Sequence, residues 1–308
     1  YGSMILQHRQ SANGGPDLVL SLGGSEYDAS SALPFLKIHR TVESFNATTN
    51  TWGCATPQLM KTERYCPNAV TLPTGDVFIV GGGWNDPVSF NDSGNESDDW
   101  IGPVFLPELF RPGIGAQWLA PPNAGFPPPL QSPEFSFTPR AYHSIALLLP
   151  DGRVLVAGGE ELNDQRNFTA KGMMRARHTG EIFSPPYRFQ SPRPRFTTAP
   201  PDRVSLSTTT TPRTFSITVD TLDDVLGGEF IDRVVLMRPG AVTHHFDNDQ
   251  RYIELSFSPA TINQLPGPMN LIATSPHESI APPGYYLLFV VAQNGAGERI
   301  PSEGAWIK

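Results

Sequence analysis

The sequence predicts an all-β protein in two parts, from three observations. The 32 prolines and 28 glycines are spread between short apolar runs, the pattern of many strands joined by tight turns. An apolar hairpin ending in Gly-Gly occurs three times, each time followed by a later aromatic strand. After about residue 192 the texture changes to longer alternating strands. A chain of 308 residues is long enough for two domains, each with its own core.

The first repeat runs from "DLVLSLGG" (Asp17–Gly24) to "VESFNATTNTW" (Val42–Trp52). The second is "RYCPNAVTLPTGDVFIVGGG" (Arg64–Gly83), followed by "VFLPELFRP" and "AQWLAPP". The third is "PRAYHSIALLLPDGRVLVAGG" (139–159), followed by "GEIFSPPYRF" (Gly180–Phe189). The second and third align with Tyr65 over Tyr142, Pro73 over Pro150 and Gly81-Gly82 over Gly158-Gly159. This layout resembles the kelch repeat of β-propellers, which has four strands per blade and a double glycine closing the second strand. Glycine suits that position because neighbouring blades approach closely there and the chain must turn. Residues 1–192 are therefore expected to form a propeller portion of about three blades. Closed rings use roughly four to eight, so the remaining blades are expected from an upstream segment or another chain. The opening "YGSMILQHRQ" has mid-strand character, as in a chain cut from something longer.

"PRPRFTTAPP" reads as a linker. The strands that follow, including "IDRVVLMRPGAV" and "PPGYYLLFVVAQNG", predict an immunoglobulin-like β-sandwich over residues 193–308. Pro282 and Pro283, just ahead of an aromatic strand, predict an edge position for it.

Composition narrows the partners. A net charge of -8 argues against nucleic acid and anionic membrane surfaces. No apolar run approaches the roughly 18 residues that span a bilayer. Four N-x-S/T sequons, at Asn46, Asn91, Asn95 and Asn167, fall in stretches that read as loops. They predict a secreted glycoprotein of the extracellular space or cell wall.

Two stretches carry the chemistry. Tyr142-His143 precedes the apolar run of the third repeat, and "RPGAVTHHFDNDQRYIEL" (Arg238–Leu255) puts two histidines near the tip of a hairpin. Taken singly, these read as a packed tyrosine, solvated histidines and turn chemistry at Asp247-Asn248-Asp249. Together with "APPGYYLLFVV", and in this order, they resemble the galactose oxidase and glyoxal oxidase family of copper radical oxidases. The resemblance covers the family's last three blades and its C-terminal sandwich.

It implies a copper ion held by Tyr142, His143 and His244, with Tyr142 also acting in catalysis. Imidazole nitrogens with a phenol oxygen suit Cu(II). His245 competes with His244, and side-chain alternation on a strand lets one of the two point inward. Asp249 or Arg251 is expected to lock the hairpin. The implied reaction oxidises small aldehydes, primary alcohols or carbohydrates with O2 and yields H2O2. The family's second cofactor, a tyrosine joined to a cysteine, has no counterpart here. Cys66 has the phase of the family cysteine, but no tyrosine lies between it and Tyr142. That cofactor is expected upstream, and Cys54 and Cys66 are expected to form a disulfide. The alternative is a non-catalytic, glycosylated wall or matrix scaffold of the same fold.

Overall fold

The computed structural model describes residues 2–9, 17–28, 35–46, 49–54, 59–85, 101–113, 116–119, 138, 140–159, 177–221, 230–258 and 267–308. The first two repeats fold alike, as a four-stranded antiparallel sheet with a hairpin inserted after its second strand. In the first, β1 (Ser3–His8), β2 (Leu18–Leu22), β5 (Val42–Asn46) and β6 (Thr51–Cys54) form the sheet, and β3 (Ser25–Asp28) pairs with β4 (Phe35–Ile38). In the second, the sheet is β7 (Asn68–Thr71), β8 (Val77–Val80), β11 (Glu108–Arg111) and β12 (Gln117–Leu119), with the hairpin β9 (Gly83–Asn85) and β10 (Ile101–Pro103). The third contains β13 (Ser144–Leu148), β14 (Val154–Gly158) and β15 (Gly180–Phe183).

The double glycines are equivalent in all three. Gly23-Gly24, Gly81-Gly82 and Gly158-Gly159 all have positive φ, between 58° and 99°. The Gly24 N–H donates to the Arg64 carbonyl at 2.9 Å, and the Gly82 N–H makes the same bond to Arg140 at 2.8 Å. A side chain at Gly81 would put a Cβ 2.3 Å from the Arg140 carbonyl oxygen. Blade-to-blade contact therefore demands glycine.

β7 and β8 are buried at every position, because the middle blade is covered on both faces. Val77 and Ile79 pack with Ile5, Leu20 and Leu22 of the first blade. Phe78 and Val80 pack with Ala146, Val154 and Val156 of the third. The first and third blades leave Met4 and Ile182 exposed.

The C-terminal part pairs β16 (Arg195–Phe196), β17 (Thr214–Thr221), β23 (Gly267–Thr274) and β22 (Phe257–Ser258) in one sheet. The facing sheet is built on β24 (Tyr286–Gln293), flanked by β18 (Phe230–Arg238) on one side and by β25 (Arg299–Pro301) and β26 (Ala305–Ile307) on the other. β21 (Arg251–Leu255) pairs with β18 on its free side. Ile217, Val219 and Leu271 of the first sheet meet Val234, Leu236, Leu288 and Val290 of the second. The second sheet's outer face, with Val235, Met237, Tyr252, Leu287 and Phe289, is also buried, and Leu148 of the third blade packs against it. β24 is accordingly apolar and buried at all but its last position. It is an interior strand, not the expected edge, since Pro282 and Pro283 lie ahead of the ladder and remove none of its donors.

Two features join the propeller portion to the sandwich. β1 pairs in parallel with β21, Gln7 opposite Tyr252 and His8 opposite Ile253. Buried Arg233 is paired with Asp232 and Glu254, and Arg299 bridges Asp232 to the carbonyl of Thr74 in the middle blade.

The expected Cys54–Cys66 disulfide is absent: Cys66 is a free, buried thiol. The topology explains this. Pro67, next to Cys66, accepts a hydrogen bond from Ser3 on β1, whereas Cys54 belongs to β6, the far strand of that sheet. Three strand spacings, roughly 14 Å, separate the two strands, well beyond the ~7 Å between α-carbons that a disulfide tolerates. Of the sequon asparagines, Asn46 ends β5 at the hairpin to β6 rather than lying in a loop, and its Oδ1 accepts from the Thr49 N–H at 3.2 Å. Asn91, Asn95 and Asn167 lie outside the described residues.

Candidate metal centre

The site begins with two buried arginines. Arg64 donates through Nη1 to the Gly81 carbonyl at 2.8 Å and through Nη2 to Glu108 at 2.9 Å. Arg140 repeats this in the third blade, with Nη1 to the Gly158 carbonyl at 2.7 Å and Nε to Glu181 at 2.9 Å. The stretch from Arg140 to Gly158 is one residue longer than that from Arg64 to Gly81. The extra residue is absorbed just before β13, where the Ser144 N–H and Oγ both donate to the Ala141 carbonyl. Tyr142 and His143 thereby become the central residues of a tight turn, with His143 at φ 60° as a type II turn requires at that position. In the middle blade Cys66 takes the equivalent left-handed position, at φ 52°. Burial pushes its thiol up to about 12.

The second half comes from the sandwich. Between β18 and β21 the chain forms a small hairpin of β19 (Val242–Thr243) and β20 (Phe246–Asp247). Its two-residue turn is His244-His245, at φ 55° and 61°, and positive φ at both central residues is the mark of a type I′ turn. Asp247 Oδ1 fastens the hairpin by accepting the N–H groups of Ala241, Asp249 and Gln250, each at 3.0 Å. The Asp247-Asn248-Asp249 run therefore serves the turn, as its composition predicts. Gly240 leaves room for this, since a Cβ there would lie 2.1 Å from Asp247 Oδ2.

The two halves meet. The ring centre of His143 lies 4.0 Å from that of Tyr142 and 4.5 Å from that of His244, and Tyr142 and His244 are 5.5 Å apart. His143 and His244 are exposed and Tyr142 is half-buried. His245 differs in burial: it is buried, with its ring 6.1 Å from that of Tyr142, and its N–H donates to the Ser144 carbonyl at 3.2 Å. Burial pulls its pKa down to about 4, so its imidazole is neutral near pH 7. His244 is exposed and His245 buried, but neither lies in a strand: both sit in the left-handed turn, so the strand alternation expected of them does not apply.

Asp249 pairs with Arg238 at 2.8 Å, and Arg251 donates to the Ile280 carbonyl at 2.9 Å, so both brace the hairpin's stem within the sandwich. Sequence reasoning missed Gln250 between them, which reaches the middle blade, and Arg140, which anchors the Tyr142-His143 turn. Arg140 could have been found from the arginine that precedes the strand in both the second and third repeats. Among the described residues no three His, Cys, Asp or Glu side chains converge as a metal would require. A metal at this cluster would need the Tyr142 phenol beside the two imidazoles.

Propeller blades of the kelch layout, an immunoglobulin-like sandwich and a tyrosine–histidine cluster supplied by both together define a class of protein. The sequence family "Glyoxal oxidase N-terminus" matches residues 2–187, and "Galactose oxidase-like, Early set domain" matches residues 193–308. The chain belongs to this glyoxal oxidase and galactose oxidase family. It is 30% identical to the aldehyde oxidase GLOX1 of Arabidopsis thaliana over 95% of its own length and 44% of that protein's. It is 30% identical to the galactose oxidase of Gibberella zeae over 78% of its own length and 28% of that protein's. The chain thus spans less than half the length of these relatives. A solved fungal alcohol oxidase in complex with copper shares the fold, with TM-score 0.62 and 23% identity, covering 99% of this chain and 53% of that one.

Proposed function

We propose that this chain is the C-terminal part of a secreted copper radical oxidase, in which Tyr142, His143 and His244 hold the metal. The supporting observation is the meeting of His143 and His244, from a blade turn and a sandwich hairpin, with ring centres 4.5 Å apart beside a phenol. Two imidazoles and a phenolic oxygen form a donor set that suits Cu(II). Copper bound there would supply one-electron redox chemistry, and the Tyr–Cys cofactor characteristic of the family would come from an upstream segment.

The chain's own residues would bind, orient and shield. His143 and His244 are exposed in this chain, which would leave the cluster open to a substrate. Tyr142 would take the hydroxyl proton of an alcohol, or of a hydrated aldehyde, at its Oη. His245, buried and neutral beside Tyr142, would give the cluster an uncharged neighbour. For a primary alcohol the balance is RCH2OH and O2 to RCHO and H2O2.

Oxygen uptake and peroxide release by the complete, copper-loaded protein, over a panel of small aldehydes, primary alcohols and sugars, test this. Turnover that His244→Ala abolishes is the expected result. Copper-loaded protein that releases no peroxide with any substrate would favour the glycosylated scaffold.

A further inference from the structure

The tip of the β19–β20 hairpin must stay in place if His244 is to remain beside His143, and the sandwich alone does not fix it there. Asp249 and Arg251 make their bonds within the sandwich, to Arg238 and to the Ile280 carbonyl. Gln250 is different. Its Nε2 donates to the Ala69 carbonyl at 2.7 Å, and its Oε1 accepts from the Thr71 N–H at 3.0 Å. Ala69 and Thr71 are alternate residues of β7, and the bonded groups face away from β8. The Gln250 carboxamide thus bonds the edge of β7 as a backbone amide of a neighbouring strand would. Its own N–H donates to Asp247 Oδ1, the atom that organises the hairpin turn.

The tip has a second bond, from the His245 N–H to the Ser144 carbonyl in the third blade. Asn68, at the start of β7, donates to Ser144 Oγ at 2.7 Å and ties those two blades together. The hairpin is therefore fixed at its base to the middle blade and at its tip to the third. Both bonds at the base are made by one side chain, Gln250.

We propose that Gln250 is a positioning residue that holds the hairpin against the middle blade, and so keeps His244 at Tyr142 and His143. Its effect on the metal rests on the ligand assignment proposed above; its hold on the hairpin does not.

Hydrogen exchange over residues 239–250 and Cu(II) affinity by chelator competition test this on the full chain. Gln250→Leu removes both bonds to β7 at similar size. It should speed exchange at the hairpin amides, His245 included, and at Thr71, whose N–H loses its acceptor, while the other propeller-strand amides keep their protection. It should also weaken Cu(II) binding about 10- to 100-fold, the usual cost of losing a group that orients a ligand, with an altered Cu(II) spectrum. Gln250→Glu keeps the acceptor for the Thr71 N–H and should recover part of both effects. Hairpin exchange at wild-type rates in Gln250→Leu would overturn the proposal. If that variant does not fold, Gln250→Glu decides: it has lost the bond to Ala69, so an unchanged hairpin in it overturns the proposal equally. Wild type that fails to hold Cu(II), alongside a hairpin that Gln250→Leu still loosens, would uphold Gln250 and sink the ligand assignment.

Discussion

His143 and His244 have ring centres 4.5 Å apart and both have left-handed backbones, at φ 60° and 55°. Among the described residues five non-glycines have positive φ, and His143, His244 and His245 are three of them. Such conformations are held at a cost by the surrounding structure, and they gather at functional sites. His244→Gly, in the metal-free protein, should therefore leave stability unchanged or raise it by about 1 kcal/mol. His245→Gly should lower it, because that side chain is buried. Urea unfolding of both variants measures the difference; a marked loss in His244→Gly would show that this backbone is not strained.

The glycine at the blade contact makes a sharper prediction. Gly81→Ala must place a methyl 2.3 Å from the Arg140 carbonyl at φ +68°. It should cost more than about 3 kcal/mol and loosen the neighbouring Tyr142 turn. Gly180→Ala is the control. It is exposed, its Cβ would meet nothing closer than 3.4 Å, and its effect should stay within about 1 kcal/mol by thermal unfolding.

Arg64 and Glu108 form a buried ion pair at 2.9 Å. Glu108→Ala leaves the guanidinium buried without its counter-charge and should destabilise by about 3–5 kcal/mol. Replacing both residues with apolar ones of similar volume should recover most of that loss. A double-mutant cycle in urea reads the coupling, and additive single losses would contradict it.

Cys66 gives the pH dependence. Its thiol titrates near 9.0 when free and near 12 in the fold, because burial disfavours the thiolate. The unfolded chain ionises first, so this contribution to stability is complete below pH 9.0 and is lost as pH rises toward 12. Thiol reagents at pH 8 should modify Cys66 only after unfolding. Prompt modification of native protein, followed by peptide mapping, would show that the site is open.

Much of the fold could be read from local pattern. Gly81-Gly82 and Gly158-Gly159 fall in register because each blade repeats the same steric demand at its neighbour. The unread parts come from distant pairing. Nothing local to Gln7 or Tyr252 indicates that β1 and β21 lie side by side. β24 looked like an edge because Pro282 and Pro283 precede it, yet a proline removes a donor only where it stands in the ladder. Tyr142 and His143 were legible as a motif but not as a turn. That turn depends on one residue more than the middle blade has, which shows only when Arg64 and Arg140 are superposed. The Cys54–Cys66 pairing went wrong because closeness in sequence hid the width of a blade.

Electron paramagnetic resonance of the full chain with one equivalent of Cu(II) tests the central claim most directly. Ligation by His143 and His244 predicts nitrogen couplings from two imidazoles. His143→Ala and His244→Ala should each remove one, and His245→Ala should leave both. A wild-type spectrum without imidazole coupling, or one that His245→Ala changes while His244→Ala does not, would contradict the metal centre described here.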